Sequence, residues 1–264
     1  MQQASQAQLR RLAKLRQKKY RLQYNRFLLS GLNTVQSALE SAFTPAQALY
    51  VTEAAKAWLP TLAPGTALPV YLLAEKEAAK FSDEQHPQGI FLEAELPHFG
   101  EPDFSAKQKS IYLHEINDPG NLGTIIRTAL RFGFRRMLLS PHSADPYQPK
   151  VVRASTGYVT HMRLYESVKV ETLRHWQRNQ RLHIVGTAVE GGVKLQNFQL
   201  PAKKSLLLIF GSEAHGINDE LLQLCDQLIT IPGESTVESL NLAVSAGIIL
   251  NYCYTEERKG RDVR

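Results

Sequence analysis

The order of apolar runs along the 264 residues predicts an α/β protein, with a small α/β unit ahead of a larger one. From residue 110 onward, short leucine- and isoleucine-rich runs alternate with segments of helical periodicity. That alternation builds a mostly parallel sheet covered on both faces. A shorter alternation of the same kind occupies residues 27–95. Between them, LPHFGEPDFSAKQK (96–109) has two prolines and few apolar residues, the composition of a linker.

Residues 4–26 contain good helix formers and no Gly or Pro, and Leu9, Leu12, Leu15 and Leu22 recur at roughly helical spacing. The net charge of +6 is uneven. Eight basic residues and no acid fall within positions 1–31, so the remainder carries −2. Residues 1–26 therefore read as a basic arm: either a solvated helix or tail, or an arm that contacts a polyanion. Tyr20, Tyr24 and Phe27 interleave with its charges, as rings that stack on bases or pin the arm to the body.

In the first unit, SGLNTVQSALESA reads as helix, ALYVT and LPVYLLAE as strands, KEAAKFS as a short helix and QGIFLEAEL as a strand. In the second, 110–257, SIYLHEI is a strand. NLGTIIRTALRFG is a helix ending at Gly133, which can supply a left-handed cap. RRMLLS, HMRLYE, LHIVGTAV, SLLLIF and QLITIP follow as strands, with helices at 170–179, at INDELLQLC and over SLNLAVSAGIILNYCYTEER. Residues 258–264 are a tail.

Several classes fall away. Cys225 and Cys253 are the only cysteines, and no CxxC or HExxH occurs, so neither a disulfide framework nor a metal site is expected. The first thirty residues lack the apolar run of a signal peptide. Leu240–Leu250 is interrupted by Asn241 and Ser245 and is too short to span a bilayer. A cytoplasmic, reduced, soluble protein is expected. No GxGxxG or P-loop follows any strand, which disfavours nicotinamide and nucleotide-hydrolysing enzymes.

Ligands of α/β sheets usually sit beyond the carboxyl ends of strands. Three loops there have unusual composition. In NDPGNLGTIIRTALRFG (117–133), Asn121 suits a helix N-cap and Arg127 lies about two turns inside the helix. In LLLIFGSEAHGI (206–217), Gly211 and Gly216 flank Glu213. In IPGESTVESLNLAVSAGIIL (231–250), Ser239 is an N-cap by type, whereas Asn241 is a weak helix former with no evident structural reason.

These segments together resemble the SpoU/TrmH family of RNA ribose 2′-O-methyltransferases, within the SPOUT superfamily. The likeness rests on Asn121 and Arg127, six apart in NLGTIIR; on Gly211, Glu213 and Gly216; and on Ile231, Pro232, Glu238, Ser239, Leu240 and Asn241, all in the family's order. KVVRASTG (150–157) resembles an Arg-Ala-Ser-x-Gly stretch through Arg153, Ala154, Ser155 and Gly157. KKYRLQYNRFLLSGLNTVQSAL resembles the opening of a substrate-binding domain often fused ahead of this catalytic domain, with Ser30 where an acid is common. Gly233 and Ser235 depart from the Met and Gly frequent after Ile-Pro, so adenine contacts are expected to differ there.

The resemblance implies a C-terminal α/β trefoil-knot domain that binds S-adenosylmethionine and methylates a ribose 2′-hydroxyl of ribosomal RNA or transfer RNA. It further implies a homodimer, no metal and no membrane. The last helix, apolar at Leu242, Ile248, Ile249 and Tyr252, would supply part of the dimer interface. Residues around Gly211, Gly216, Ile231, Pro232 and Leu240 would hold the cofactor. Arg127 would be the catalytic residue, fixing the phosphate beside the target ribose or losing its proton transiently. The first is favoured, because a guanidinium is essentially always protonated. Asn121 would orient Arg127 or the ribose, Glu213 would position the arginine or substrate, and Ser239 and Asn241 would shape the site. Arg16, Lys18, Lys19, Arg21 and Arg153 are assigned to RNA contact. The competing readings are a non-catalytic RNA-binding factor for ribosome assembly that keeps the fold, and a knotted enzyme acting on a base nitrogen.

Overall fold

The leucines of the first fifteen residues decide how the N-terminal segment folds. In the computed structural model, which describes residues 1–62, 68–82, 84, 86–105, 107–179, 182–234 and 239–262, the chain divides into two units. The first comprises residues 1–98 and 145–161, the second 99–144 and 162–264.

The first unit opens with a two-residue strand, β1 (Gln2–Gln3), and helix α1 (Gln6–Lys14). Ser5 caps α1: its side chain accepts from Gln8 N–H, and the Gln8 side chain accepts from Ser5 N–H in return. Leu9, Leu12 and Leu15 then fall on one face and are buried. Helix α2 (Lys18–Tyr24) ends at Asn25 in the left-handed conformation, and β2 (Arg26–Ser30) follows. The expected arm is corrected accordingly: residues 1–26 pack into the first unit, because three leucines at helical spacing gain more by burial than by solvation. Strand β2, three of whose five residues are buried, did not stand out in the sequence.

Helix α3 (Leu32–Leu39), β3 (Ala46–Thr52), α4 (Leu59–Leu62), β4 (Val70–Leu73), α5 (Glu75–Ala78) and β5 (Ile90–Glu95) complete the 1–98 portion. The sheet order is β1-β4-β3-β5-β2, with β5 antiparallel to both β2 and β3. One face buries Leu9, Leu12 and Leu15 against Leu28, Ala48, Tyr50, Leu73 and Phe91.

The second unit begins at residue 99, inside the segment read as a linker. Phe104 is fully buried there, with Trp176 beside it. Strand β6 (Lys109–Leu113), helix α6 (Pro119–Arg131) and β7 (Arg136–Leu139) follow, and Gly133 ends α6 in the left-handed region as expected. Residues 145–161, with helix α7 (Pro149–Ala154), then belong to the first unit and not to the 110–257 span expected for one domain.

The second unit resumes with β8 (Arg163–Tyr165), α8 (Val170–Asn179), β9 (Leu182–Thr187), β10 (Val193–Lys194), β11 (Ser205–Phe210), α9 (Asp219–Leu222), β12 (Gln227–Thr230) and α10 (Leu242–Asp262). Its seven strands are all parallel, in the order β10-β12-β9-β11-β6-β7-β8. Every residue of β11 is buried, the pattern of a central strand covered on both faces. The chain leaves β6 toward β7 and β8 on one side, and β9, β11 and β12 build the other. The order of strands therefore switches between β6 and β11, and the carboxyl ends flanking that switch form the usual ligand crevice. Among the described residues no helix is long and apolar enough to cross a membrane.

Candidate active site

The site grows out of the pairing of β6 with β11. His114 N–H donates to the Phe210 carbonyl at 2.9 Å, so the loops leaving these two strands start side by side. After β6 the chain turns into α6 at Asp118, whose carboxylate accepts from Asn121 N–H at 2.9 Å, with Pro119 at the first helical position. Asp118 is thus the N-cap expected at Asn121. The Asp-Pro step was the available signal, since proline is preorganised for the first helical position. Relieved of capping, the Asn121 side chain points out of the first turn.

The loop after β11 is closed on itself. Ser212 and Gly216 exchange two backbone hydrogen bonds of 2.9 Å. A side chain at Gly211 would put its Cβ 2.1 Å from the Gly216 carbonyl carbon, and Gly216 has a φ of 65°. Both glycines are required by that closure, which holds Glu213 at an exposed tip. The Ser212 hydroxyl accepts from His215 N–H at 3.1 Å and stiffens the tip.

The third segment follows β12. Ile231 is half-buried, and Pro232 to Glu234 are exposed. Ser235 and Glu238 lie outside the described residues. The expected cap Ser239 is exposed, and Asn241 does the capping: its Oδ1 accepts from Ala243 N–H at 2.9 Å and Val244 N–H at 3.2 Å. Its Nδ2 donates to Asn121 Oδ1 at 3.2 Å, and Asn121 Nδ2 donates to Glu213 Oε1. Glu213, Asn121 and Asn241 thus form one chain of hydrogen bonds across all three loops. A primary amide accepts at the helix start through its oxygen and donates outward through its nitrogen, which accounts for Asn at position 241.

Arg127 is exposed on α6, six residues and about 9 Å of helix rise beyond Asn121. Ile125, Ile126 and Ala129 beside it are buried and fix that helix to the core. The Asn121 side chain is engaged by Glu213 and Asn241, so it joins the three loops. His114 stands at the start of the same region; burial pushes its imidazole below the ordinary value, and its Nδ1 is a buried atom with no hydrogen-bond partner.

Segments 231–234 and 239–241 belong to no helix or strand ladder. Ile231 is half-buried beside them, and Leu240 keeps 47% of its surface exposed. Apolar side chains beside irregular backbone suit the flat adenine of an adenosyl cofactor, and the closed 211–216 loop offers a small-residue edge. Among the described residues no group of three or more His, Cys, Asp or Glu is placed to hold a metal ion.

Of the residues assigned to RNA contact, Arg16, Lys18, Lys19 and Arg153 are exposed in the first unit. Arg21 is not. It is buried, and its guanidinium donates to the Leu15 and Arg16 carbonyls and pairs with Asp145 at 2.5 Å. Its role is to tie α2 to the returning 145–161 segment, a partner too distant in sequence to be read from charge patterning. Likewise Ile249 is buried in the unit's own core, and Tyr252 donates to the Phe198 carbonyl at 2.7 Å. Ile248 of the same helix is exposed, as is Val244.

Residues 108–251 match the SpoU rRNA Methylase family, and residues 6–92 match an MRM3-like substrate binding domain. The chain is 30% identical over 240 residues to the 23S rRNA (guanosine(2553)-2′-O)-methyltransferase of Bacillus subtilis, covering 90% of this chain and 92% of that one. An AdoMet-bound rRNA methyltransferase from Sinorhizobium meliloti superposes with a TM-score of 0.83 at 26% identity, over 97% of each chain. A candidate RNA methyltransferase of the TrmH family from Porphyromonas gingivalis gives 0.81 at 31% identity, over 94% of this chain and 97% of the other. The matched span contains all three loops and every residue of the Glu213–Asn121–Asn241 chain, and the protein belongs to the SpoU rRNA methylase family.

Proposed function

We propose that this chain transfers a methyl group from S-adenosylmethionine to a ribose 2′-hydroxyl of RNA, with ribosomal RNA as its substrate in preference to transfer RNA. The hydrogen-bonded chain Glu213–Asn121–Asn241 carries this reading, because it locks three loops at the strand-order switch into one rigid site. The relatives named for 23S rRNA ribose methylation support the choice of substrate.

S-adenosylmethionine, when bound, supplies a methyl group on a positively charged sulfur. Gly211, Gly216, Ile231, Pro232 and Leu240 hold it against irregular backbone. The Arg127 guanidinium binds the phosphate beside the target ribose and polarises the 2′-hydroxyl. Such positioning supplies much of the rate of a displacement between two bound partners. Asn121 and Asn241 fix the distance between α6, which bears Arg127, and the cofactor loops. Glu213 anchors that link from the opposite side, and Ser239 borders the same opening. A knotted path of the chain through these loops is part of the proposal.

Arg16, Lys18, Lys19 and Arg153 supply phosphate contacts. Two copies pair through α10, where Val244 and Ile248 expose apolar side chains four residues apart on one face. The cytoplasm is the compartment that such a substrate implies. Mapping 2′-O-methyl positions in cells with and without the gene, then restoring the lost position with purified protein and S-adenosylmethionine, tests the function. Failure to restore any position leaves a non-catalytic RNA-binding factor as the reading. Light scattering at working concentration tests the dimer, and a monodisperse monomer overturns it.

A further inference from the structure

In the first unit, a cavity of about 360 Å³ opens on the sheet face that α1 covers. It falls within the range of about 300–1,000 Å³ typical of small-ligand sites. At its floor the Glu93 carboxylate, 2% exposed, accepts from Arg11 Nε at 2.7 Å, Arg11 Nη2 at 2.8 Å and the Tyr50 hydroxyl at 2.9 Å. Arg26 donates to Glu95 at 2.9 Å and to Gln47 Oε1 at 3.1 Å. Gln47 sits where the β3–β5 register shifts between Ala46 and Ala48. A bulge of this kind re-aims a side chain, and here that side chain lines the cavity. Tyr71, stacked on Tyr50 with ring centroids 5.3 Å apart, forms an aromatic wall.

The donor balance selects a ligand. Two guanidinium groups and the amide of Gln47 face a single carboxylate that already accepts three hydrogen bonds. A flat edge rich in acceptors, such as O6 and N7 of guanine or a carbonyl of uracil, fits such a wall, whereas an edge that presents an amino group meets few acceptors. Each arginine is also paired with a glutamate, so the cavity does not attract phosphate by bulk charge.

We propose that this cavity is a nucleobase subsite, which takes one unstacked uracil or guanine of the RNA substrate by its carbonyl edge and stacks it on Tyr71. The proposal rests on RNA being the substrate. Single-stranded RNA is generally read in this way, by splayed bases on aromatic side chains.

The test uses the full chain without cofactor and four end-labelled trinucleotides, AUA, AGA, AAA and ACA, with UMP as a free-nucleotide arm. Central U or G is expected to bind about tenfold tighter than central A or C, the scale of one good pair of base-edge hydrogen bonds. Gln47→Ala and Tyr71→Leu should each erase the preference, while Tyr71→Phe keeps it and all variants retain the wild-type thermal midpoint. Equal binding of the four trinucleotides, or a preference that survives in both Gln47→Ala and Tyr71→Leu, overturns the proposal. UMP binding as tightly as AUA overturns the RNA assignment in favour of a free nucleotide. No step here depends on methyl transfer, so an enzyme that methylates no RNA fails separately from a cavity that binds no base.

Discussion

Asn241 Nδ2 donates to Asn121 Oδ1 at 3.2 Å, joining residues 120 positions apart. The same Asn241 accepts from the first N–H groups of α10. One side chain therefore starts a helix and fixes the spacing of the site. These two tasks separate in Asn241→Asp, which keeps the capping oxygen and loses the donor. The variant is expected to melt near the wild-type temperature and to lose most single-turnover methyl transfer. Asn241→Ala should lose about 1 kcal/mol as well, the usual loss for a removed cap. An Asn241→Asp enzyme as active as wild type would show that the bridge to Asn121 is dispensable.

Arg127 stands on a helix whose buried neighbours hold it in place whatever occupies position 127. Arg127→Ala should therefore bind S-adenosylmethionine with an unchanged Kd while methyl transfer falls by about 10²-fold or more, as expected when positioning is lost. Arg127→Lys should recover little, because a point charge does not reproduce the planar fork that grips a phosphate. Calorimetry and single-turnover assays on the cognate RNA separate the two effects.

Local features of the site were legible in the sequence. Gly211 and Gly216 bracket Glu213 because a tight closure leaves no space for a Cβ at one and requires positive φ at the other. Caps were less legible. Asp118 and Asn121, or Ser239 and Asn241, are all good cap types, and a helix start two or three residues away decides between them. Least legible were partners set by tertiary packing. Arg21 looks like its basic neighbours, but its carboxylate partner lies 124 residues on. Leu9, Leu12 and Leu15 carried the signal for burial of the supposed arm, and the surrounding charge masked it.

Burial of that segment changes what the basic residues can do. Arg11, Arg21 and Arg26 pair with Glu93, Asp145 and Glu95. Lys14 and Lys19 instead lie over the Tyr20 ring at 5.1 and 5.7 Å. Replacing Lys18 and Lys19, both assigned to phosphate contact, with Gln should flatten the slope of log affinity against log salt by about 1.5. Unfolding in urea should be unaffected. Arg21→Ala should do the reverse, costing about 3–5 kcal/mol by leaving Asp145 without its partner, with the salt slope retained. A reduced slope in Arg21→Ala and none in the lysine pair would invert the assignment.

Two histidines of the second unit give it a predictable response to acid. Burial holds His114 below the ordinary imidazole value, against the opposing charge of Glu115. Burial does the same for His183, opposed by Asp226 at 3.4 Å and assisted by Lys204. Both are neutral in the folded protein at pH values where the unfolded imidazole, with a pKa of about 6.5, begins to take up protons. The unfolded state then binds more protons than the folded one, so stability is full above about pH 6.5 and falls as pH drops through the folded values. The thermal midpoint should be flat near neutrality and decline on acidification, and His114→Asn should blunt that decline. A midpoint that rises between about pH 6.5 and 5.5 would require imidazoles that gain charge on folding, contrary to the burial of His114 and the partial burial of His183.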